Sequence, residues 1–173
     1  CPNVRMQRLM SQEPALAASL IGKVRAMTGK TLIAKLTPQV TDIVEIARAA
    51  VDAGADALCL VNTFPAMKID IHTRKPVLGN VYGGLSGRCV KPMAVRAVHQ
   101  VYASGIRVPV IASGGVYEWQ DVIEFILAGA CAVGIGTANF LYPDAAEKIL
   151  KDLILYCKTN RINKLSDMRG AAH

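Results

Sequence analysis

The stretch "VPVIASGGVYEWQDVIEFILAGACAVGIGTANF" occupies residues 108–140. It opens on a short apolar run, VPVIAS (108–113), breaks at Gly114-Gly115, continues through EWQDVIEFILAGA (118–130) and closes on AVGIGTA (132–138). The two short runs read as strands and the segment between them as a helix. A continuous hydrophobic strand is one covered on both faces, and a strand–helix–strand order joins parallel strands. The unit is therefore βαβ, with a glycine pair after one strand and Gly134, Gly136 and Thr137 along the next.

The same alternation runs through the rest of the chain. Residues 13–28 place Leu16, Leu20, Val24 and Met27 at helical spacing, so this face is expected to pack on the core. LIAKL (32–36) is a strand, stopped by Pro38. TDIVEIARAAVDAGA follows with Thr41 and Asp42 as N-cap candidates, Ile43, Ile46, Ala47 and Ala50 on one face, and Gly54 as the stop. ALCLVN (57–62) is a strand, KPMAVRAVHQVYASG is a helix with Pro92 in its first turn, and residues 143–160 form a closing helix. Four βα units account for almost the whole chain. A complete (β/α)8 barrel needs about 250 residues. At 173 residues the chain fits either an open doubly wound sheet or half of such a barrel, as a single domain.

Composition narrows the class. The chain is 52% hydrophobic and 19% charged, as expected of a soluble globular domain with a sizeable core. Its longest apolar stretch, residues 122–141, carries Glu124 and three glycines and is broken near Gly129, so it reads as helix and strand rather than a membrane span. Residues 1–30 lack the order of a secretory signal, and a cytoplasmic location is expected. The five cysteines form no CxxC pair and have no histidine at ligand spacing, which argues against zinc or an iron–sulfur cluster. Cys59 and Cys131 lie in apolar runs and are expected as small buried hydrophobes. The net charge of +7 is scattered, and only 5% of residues are aromatic, which disfavours a nucleic-acid surface.

In parallel α/β folds the chemistry sits at the C-terminal ends of the strands. Lys35 ends the first strand between apolar neighbours, a placement that is costly unless an anionic group receives the ammonium. Asn62 and Thr63 end the second and present an amide and a hydroxyl. The long segment 64–82 alternates charged and apolar residues, as a small hairpin covering the site would, and its His72 is expected to be solvated. Glycines gather at three stations: Gly83-Gly84 with Gly87, Gly114-Gly115, and Gly134 with Gly136-Thr137. In a half barrel the latter two fall on strands seven and eight, where backbone N–H groups bind phosphate and only glycine lets the ligand approach closely.

Taken together, CPNV (1–4), AKLTPQVTDIVEIARAAVDAGAD (34–56), VNT (61–63), RKPVLGNVYGGLSG (74–87), KPMAVRAVHQV (91–101), ASGGV (112–116), LAGACAVGIGTANF (127–140) and MRGAAH (168–173) resemble the dihydroorotate dehydrogenase family, closest to its class 1, NAD-linked type. The resemblance covers essentially the whole chain but only the C-terminal part of the family's sequence. It implies a (β/α)8 barrel, of which this chain supplies roughly the C-terminal half. It further implies FMN as cofactor and oxidation of (S)-dihydroorotate to orotate in pyrimidine biosynthesis, hydride passing from C6 to flavin N5 as a base removes the C5 proton.

Carried onto this chain, the resemblance makes Cys1 the base and Asn3, Asn62 and Thr63 substrate ligands. It places Lys35, Val61, Gly87, Gly114, Gly115, Gly136 and Thr137 around FMN, the last four on the phosphate. It also implies a homodimer and a partner subunit carrying FAD and a 2Fe-2S cluster. Two departures stand out: the bulky, basic run Arg5–Gln12 after the cysteine, and Arg88 where small residues or proline are usual. Dihydropyrimidine dehydrogenase, which shares AKLTP and the cysteine, is the alternative enzyme. A fragment that only binds phosphate or FMN, self-associating through open strand edges, is the non-enzymatic one.

Overall fold

The computed structural model describes residues 10–173. The expected substrate and base residues Cys1 and Asn3, and most of the Arg5–Gln12 run, lie outside the described residues. A 3-10 turn at Met10–Gln12 leads into α1 (Pro14–Met27), β1 (Ile33–Leu36), α2 (Ile43–Asp52) and β2 (Ala57–Leu60). After β2 come four short strands, β3 (Phe64–Ala66), β4 (Ile69–Asp70), β5 (Lys75–Pro76) and β6 (Gly83–Leu85). The chain continues through α3 (Lys91–Ala103), β7 (Val110–Ser113), α4 (Trp119–Leu127), β8 (Ala132–Gly134), α5 (Ala138–Leu141) and α6 (Ala145–Thr159).

The central sheet is wholly parallel and runs in chain order, β1-β2-β7-β8, with Lys35 beside Cys59, Cys59 beside Ile111, and Ser113 beside Gly134. A doubly wound sheet reverses its strand order at a switch point. None occurs among the described strands, so each crossover turns the same way and the helices share one face of the sheet. Successive helices accordingly pack on one another, α1 on α2, α2 on α3, α3 on α4 and α4 on α6.

Period-two burial in β1 follows from this arrangement. Ala34 and Leu36 point into the helical layer and are buried, whereas Ile33 and Lys35 point to the other face and are exposed. The core between sheet and helices holds Ile46, Leu58, Leu60, Val98, Val101, Val110 and Phe125, all essentially without solvent contact. Burying a side chain of this size contributes about 1.5–3 kcal/mol. The face of α2 read from the sequence is correct: Ile43, Ile46, Ala47 and Ala50 are buried. Asp42 caps α2 by accepting the Val44 N–H at 2.7 Å.

Three expectations are corrected. Along α1, the stripe Leu16, Leu20, Val24 and Met27 is exposed and only Ala17 is fully buried. The helix lies against α2 and packs on the core through Ala17 and Ile21, and Leu20 and Val24 border an open groove beside edge strand β1, lined also by Ile33. Cys131 is exposed and Cys59 half-buried, because Cys131 opens the other edge strand, β8, and Cys59 points to the uncovered face. The last strand stops at Gly134 instead of running to Ala138, and Gly136-Thr137 form a turn into α5. Among the described residues, no helix is long and apolar enough to cross a membrane.

The C-terminal segment closes the opposite end of the layer. Gly170 and Ala172 donate their N–H groups to the carbonyls of Ile126 and Leu127, and Arg169 Nε donates to the Gly129 carbonyl at 2.9 Å. The bonds to Leu127 and Gly129 pair carbonyls at the end of α4, and that of Ile126 also accepts the Gly129 N–H. Tyr102 fills the space between, so close that a Cβ on Gly129 would lie 2.3 Å from its ring, at a φ of +114°. Gly129→Ala is expected to cost about 2–4 kcal/mol from combined overpacking and left-handed strain, read as a lowered midpoint in chemical denaturation.

Candidate active site

The C-terminal ends of the four parallel strands converge on one cavity of about 270 Å³. Backbone hydrogen bonds place its walls. Beyond β2, the Val61 N–H donates to the Ser113 carbonyl at 3.0 Å and the Asn62 N–H to the Leu36 carbonyl at 2.9 Å. These bonds bind the segment after β2 to both flanking strands, and the Val61, Asn62 and Thr63 that follow line the cavity with Lys35, Gly114, Gly115, Gly136 and Thr137. Eight of the residues singled out in the sequence thus share one wall.

Each is held for a local reason. Thr63 is pressed against Gly84 across the β3–β6 ribbon, so tightly that a Cβ on Gly84 would meet its hydroxyl. Gly115 adopts a φ of +78°, and a Cβ there would lie 2.9 Å from the Lys91 nitrogen and 3.0 Å from the Gly87 carbonyl oxygen. Gly87 therefore sits behind the Gly114-Gly115 loop and shapes it from outside the cavity wall. Around Gly136 there is open space. Thr137 donates its hydroxyl proton to Ser86 at 2.8 Å, joining the segment after β6 to the turn after β8.

Lys35 is exposed rather than buried, because the face it points from is uncovered. Among the described residues it makes no hydrogen bond or ion pair, and it lines both this cavity and the groove beside α1. Its sheet neighbour Cys59 is pushed up by burial, an effect only partly offset by Lys35, so the thiol stays protonated near neutrality.

Sequence reasoning missed several lining residues: Leu85, Ser86, Val90, Ser113, Tyr117 and Phe140. Ser86 and Phe140 lie inside the GGLSG and GTANF motifs and were legible as neighbours of the named glycines, but the others are placed by packing alone. The expected cover is not there. Segment 64–85 forms two antiparallel ribbons, β3 with β6 and β4 with β5, and of these only Leu85 lines the cavity. His72 stands exposed, its N–H bonded to Asp70, as expected of a solvated residue.

Comparison with known proteins identifies the scaffold. The family model described as dihydroorotate dehydrogenase matches residues 1–156. The chain belongs to the dihydroorotate dehydrogenase family. Among curated relatives, the dihydroorotate dehydrogenase B (NAD⁺) catalytic subunit of Desulforudis audaxviator is 50% identical over the whole chain and 56% of its own length. That of Trichlorobacter lovleyi is 49% identical over 99% of this chain and 56% of its own length. The crystal structure of the Eimeria tenella dihydroorotate dehydrogenase in complex with ferulenol superposes with a TM-score of 0.76 at 26% identity, covering 94% of this chain and 49% of that one. The chain thus spans just over half the length of the curated relatives it matches. Its sheet is part of a dihydroorotate dehydrogenase (β/α)8 barrel, which accounts for the uncovered inner face.

Next to the cavity lies an ion cluster that the sequence did not reveal. Asp121, 2% exposed, accepts the N–H groups of Tyr117 and Glu118 at 2.8 and 3.1 Å and a bond from Lys91 Nζ at 2.7 Å. Lys91 also meets the Glu124 carboxylate at 2.7 Å. Burial acts to raise the Asp121 value, but the Lys91 ammonium and the two N–H donors outweigh it and hold the carboxyl below its ordinary 3.8. Bonds to Asp121 and then Glu124 push Lys91 above 10.5.

Asp121 therefore stabilises the fold fully above about pH 4, and its contribution is lost as pH falls through its depressed value. Lys91 contributes below its unfolded value and loses that contribution as pH rises through its raised one. Asp121→Asn is expected to cost about 2–3 kcal/mol at neutral pH. It should also flatten the acid limb of a stability–pH profile measured by urea denaturation.

Proposed function

We propose that this chain forms the C-terminal half of a cytoplasmic, FMN-dependent enzyme that oxidises (S)-dihydroorotate to orotate in pyrimidine biosynthesis. The observation that carries the reading is the shared cavity, where Lys35, unpaired among the described residues, stands with two glycine stations at the C-terminal ends of parallel strands. The relatives, dihydroorotate dehydrogenase catalytic subunits by name, support the substrate. A phosphate-bearing cofactor suits the walls: Gly115 lines the cavity with no room for a side chain behind it, and Gly136 lines it with open space where a side chain would stand. Backbone N–H groups at such bare positions receive a phosphate where any side chain would block it.

FMN, when bound, supplies the hydride acceptor, taking hydride from C6 of the substrate at N5. Gly114, Gly115, Gly136 and Thr137 would hold its phosphate, while Val61 would form the adjoining wall through its backbone and Gly87 would support the Gly114-Gly115 loop from behind. Lys35 would face the N1/O2 edge of the ring system and stabilise negative charge there. Asn62 and Thr63, with Asn3, would orient the pyrimidine through hydrogen bonds.

Cys1 would accept the C5 proton, which requires its thiolate. Cys59, kept protonated by burial, cannot substitute for it. The words "catalytic subunit" in the relatives' names support a second subunit for electron transfer, proposed to carry FAD and a 2Fe-2S cluster. Within the catalytic subunit a homodimer is proposed.

In the whole protein to which this chain belongs, Cys1→Ala should lower dihydroorotate turnover at neutral pH at least about a hundredfold, the scale of a lost general base, with flavin absorbance retained. Normal turnover by this variant would overturn the base assignment. Lys35→Met should weaken FMN binding as well as turnover, read by fluorescence titration.

A further inference from the structure

We infer that Lys91 and Asp121 are positioning residues for the phosphate loop, holding residues 114–118 in the curve that receives a phosphate ester without touching it themselves. The inference rests on the FMN reading above and adds two residues to it, neither of which lines the cavity.

Lys91 grips the loop at both of its ends. Its own main chain lies against Gly115, where a Cβ would come within 2.9 Å of its nitrogen and 2.7 Å of its Cβ. Its ammonium reaches Asp121 Oδ1 at 2.7 Å, and Asp121 Oδ2 in turn accepts the N–H groups of Tyr117 and Glu118. The segment from Gly114 to Glu118 is thus clamped at Gly115 by contact and at Tyr117 by a buried carboxylate. Tyr117 itself lines the cavity, so the carboxylate acts one residue away from the wall.

The charges explain why the role is indirect. One ammonium faces two carboxylates, Asp121 and Glu124, so its charge is already compensated and offers little pull on an outside anion. Lys35 is the opposite case, an ammonium with no carboxylate beside it among the described residues. A buried carboxylate that accepts two backbone N–H groups can instead fix a loop to within a fraction of an ångström, which an anion site needs.

The test compares FMN with riboflavin, which lacks the phosphate, on the whole protein freed of flavin, by fluorescence quenching. The unaltered protein should prefer FMN. Lys91→Met and Asp121→Asn should each cut the FMN-to-riboflavin affinity ratio about tenfold, a loss of some 1.4 kcal/mol, by weakening FMN and leaving riboflavin unchanged. Lys91→Arg, which keeps a cation on Asp121, should restore most of the ratio, and Glu124→Gln, which touches the ammonium but not the loop, should leave it unaltered.

Equal weakening of both ligands, or a lowered thermal midpoint with an unaltered ratio, would show a merely structural pair and overturn the inference. Loss of the preference in Lys91→Met alone, with Asp121→Asn normal, would make Lys91 a direct phosphate ligand and overturn it equally. If Asp121→Asn fails to fold, Asp121→Glu, which keeps the charge but shifts the carboxylate from the two N–H groups, takes its place: a lowered ratio is expected, and an unaltered one overturns the inference. Should the unaltered protein bind both flavins alike, the phosphate reading of the glycine stations fails first, an outcome distinct from the others.

Discussion

Parallel strands laid down in chain order, β1-β2-β7-β8, constrain everything else in this molecule. Each crossover must turn the same way, so the helices share one face and the other is left to whatever lies within the barrel. All four strands point their C-terminal ends to the same rim, where their side chains and following loops meet. The cavity is the geometric result of that convergence, and its residues come from segments as far apart as Lys35 and Thr137. Single-sided winding also leaves the edge strands β1 and β8 bare, with the α1 stripe exposed beside the first of them.

Within this frame two lysines show how placement decides chemistry. Lys35 and Lys91 carry the same group, yet one faces a cavity with no counter-charge among the described residues and the other is bonded to two carboxylates. A free ammonium at a concave rim attracts an anion from solution, whereas a compensated one can only hold its partners in place. The glycines divide in a similar way. Gly115 is needed because its back is crowded at a left-handed φ, and Gly136 because its front must stay open. Gly129, at the far end of the fold, serves only the packing of Tyr102.

The four principal strands, the order of helices and, within the cavity, Lys35, Asn62, Thr63 and the two glycine stations were legible because each depends on local pattern. Apolar runs bounded by proline or glycine give strands, and periodic apolar residues give helices. Functional glycines after strands stand out because few other residues tolerate the backbone they adopt. What could not be read were relations across the chain. The exposure of Leu16, Leu20 and Val24 depends on what stands beside β1. Asp121, the acidic residue in the first turn of α4, carries no local mark of its bond to Lys91.

Local pattern and chain order alone were enough for a βα repeat, a half-barrel's worth of strands, and glycine stations suited to phosphate. They sufficed because hydrophobic periodicity and glycine's freedom are properties of short segments. The tertiary structure alone decided that Lys35 has no counter-ion among the described residues while Lys91, 56 positions later in the chain, is bonded to Asp121 and Glu124. Compensation of charge depends on distances of a few ångströms between segments remote in sequence, and only the packing of helices on a parallel sheet sets those distances.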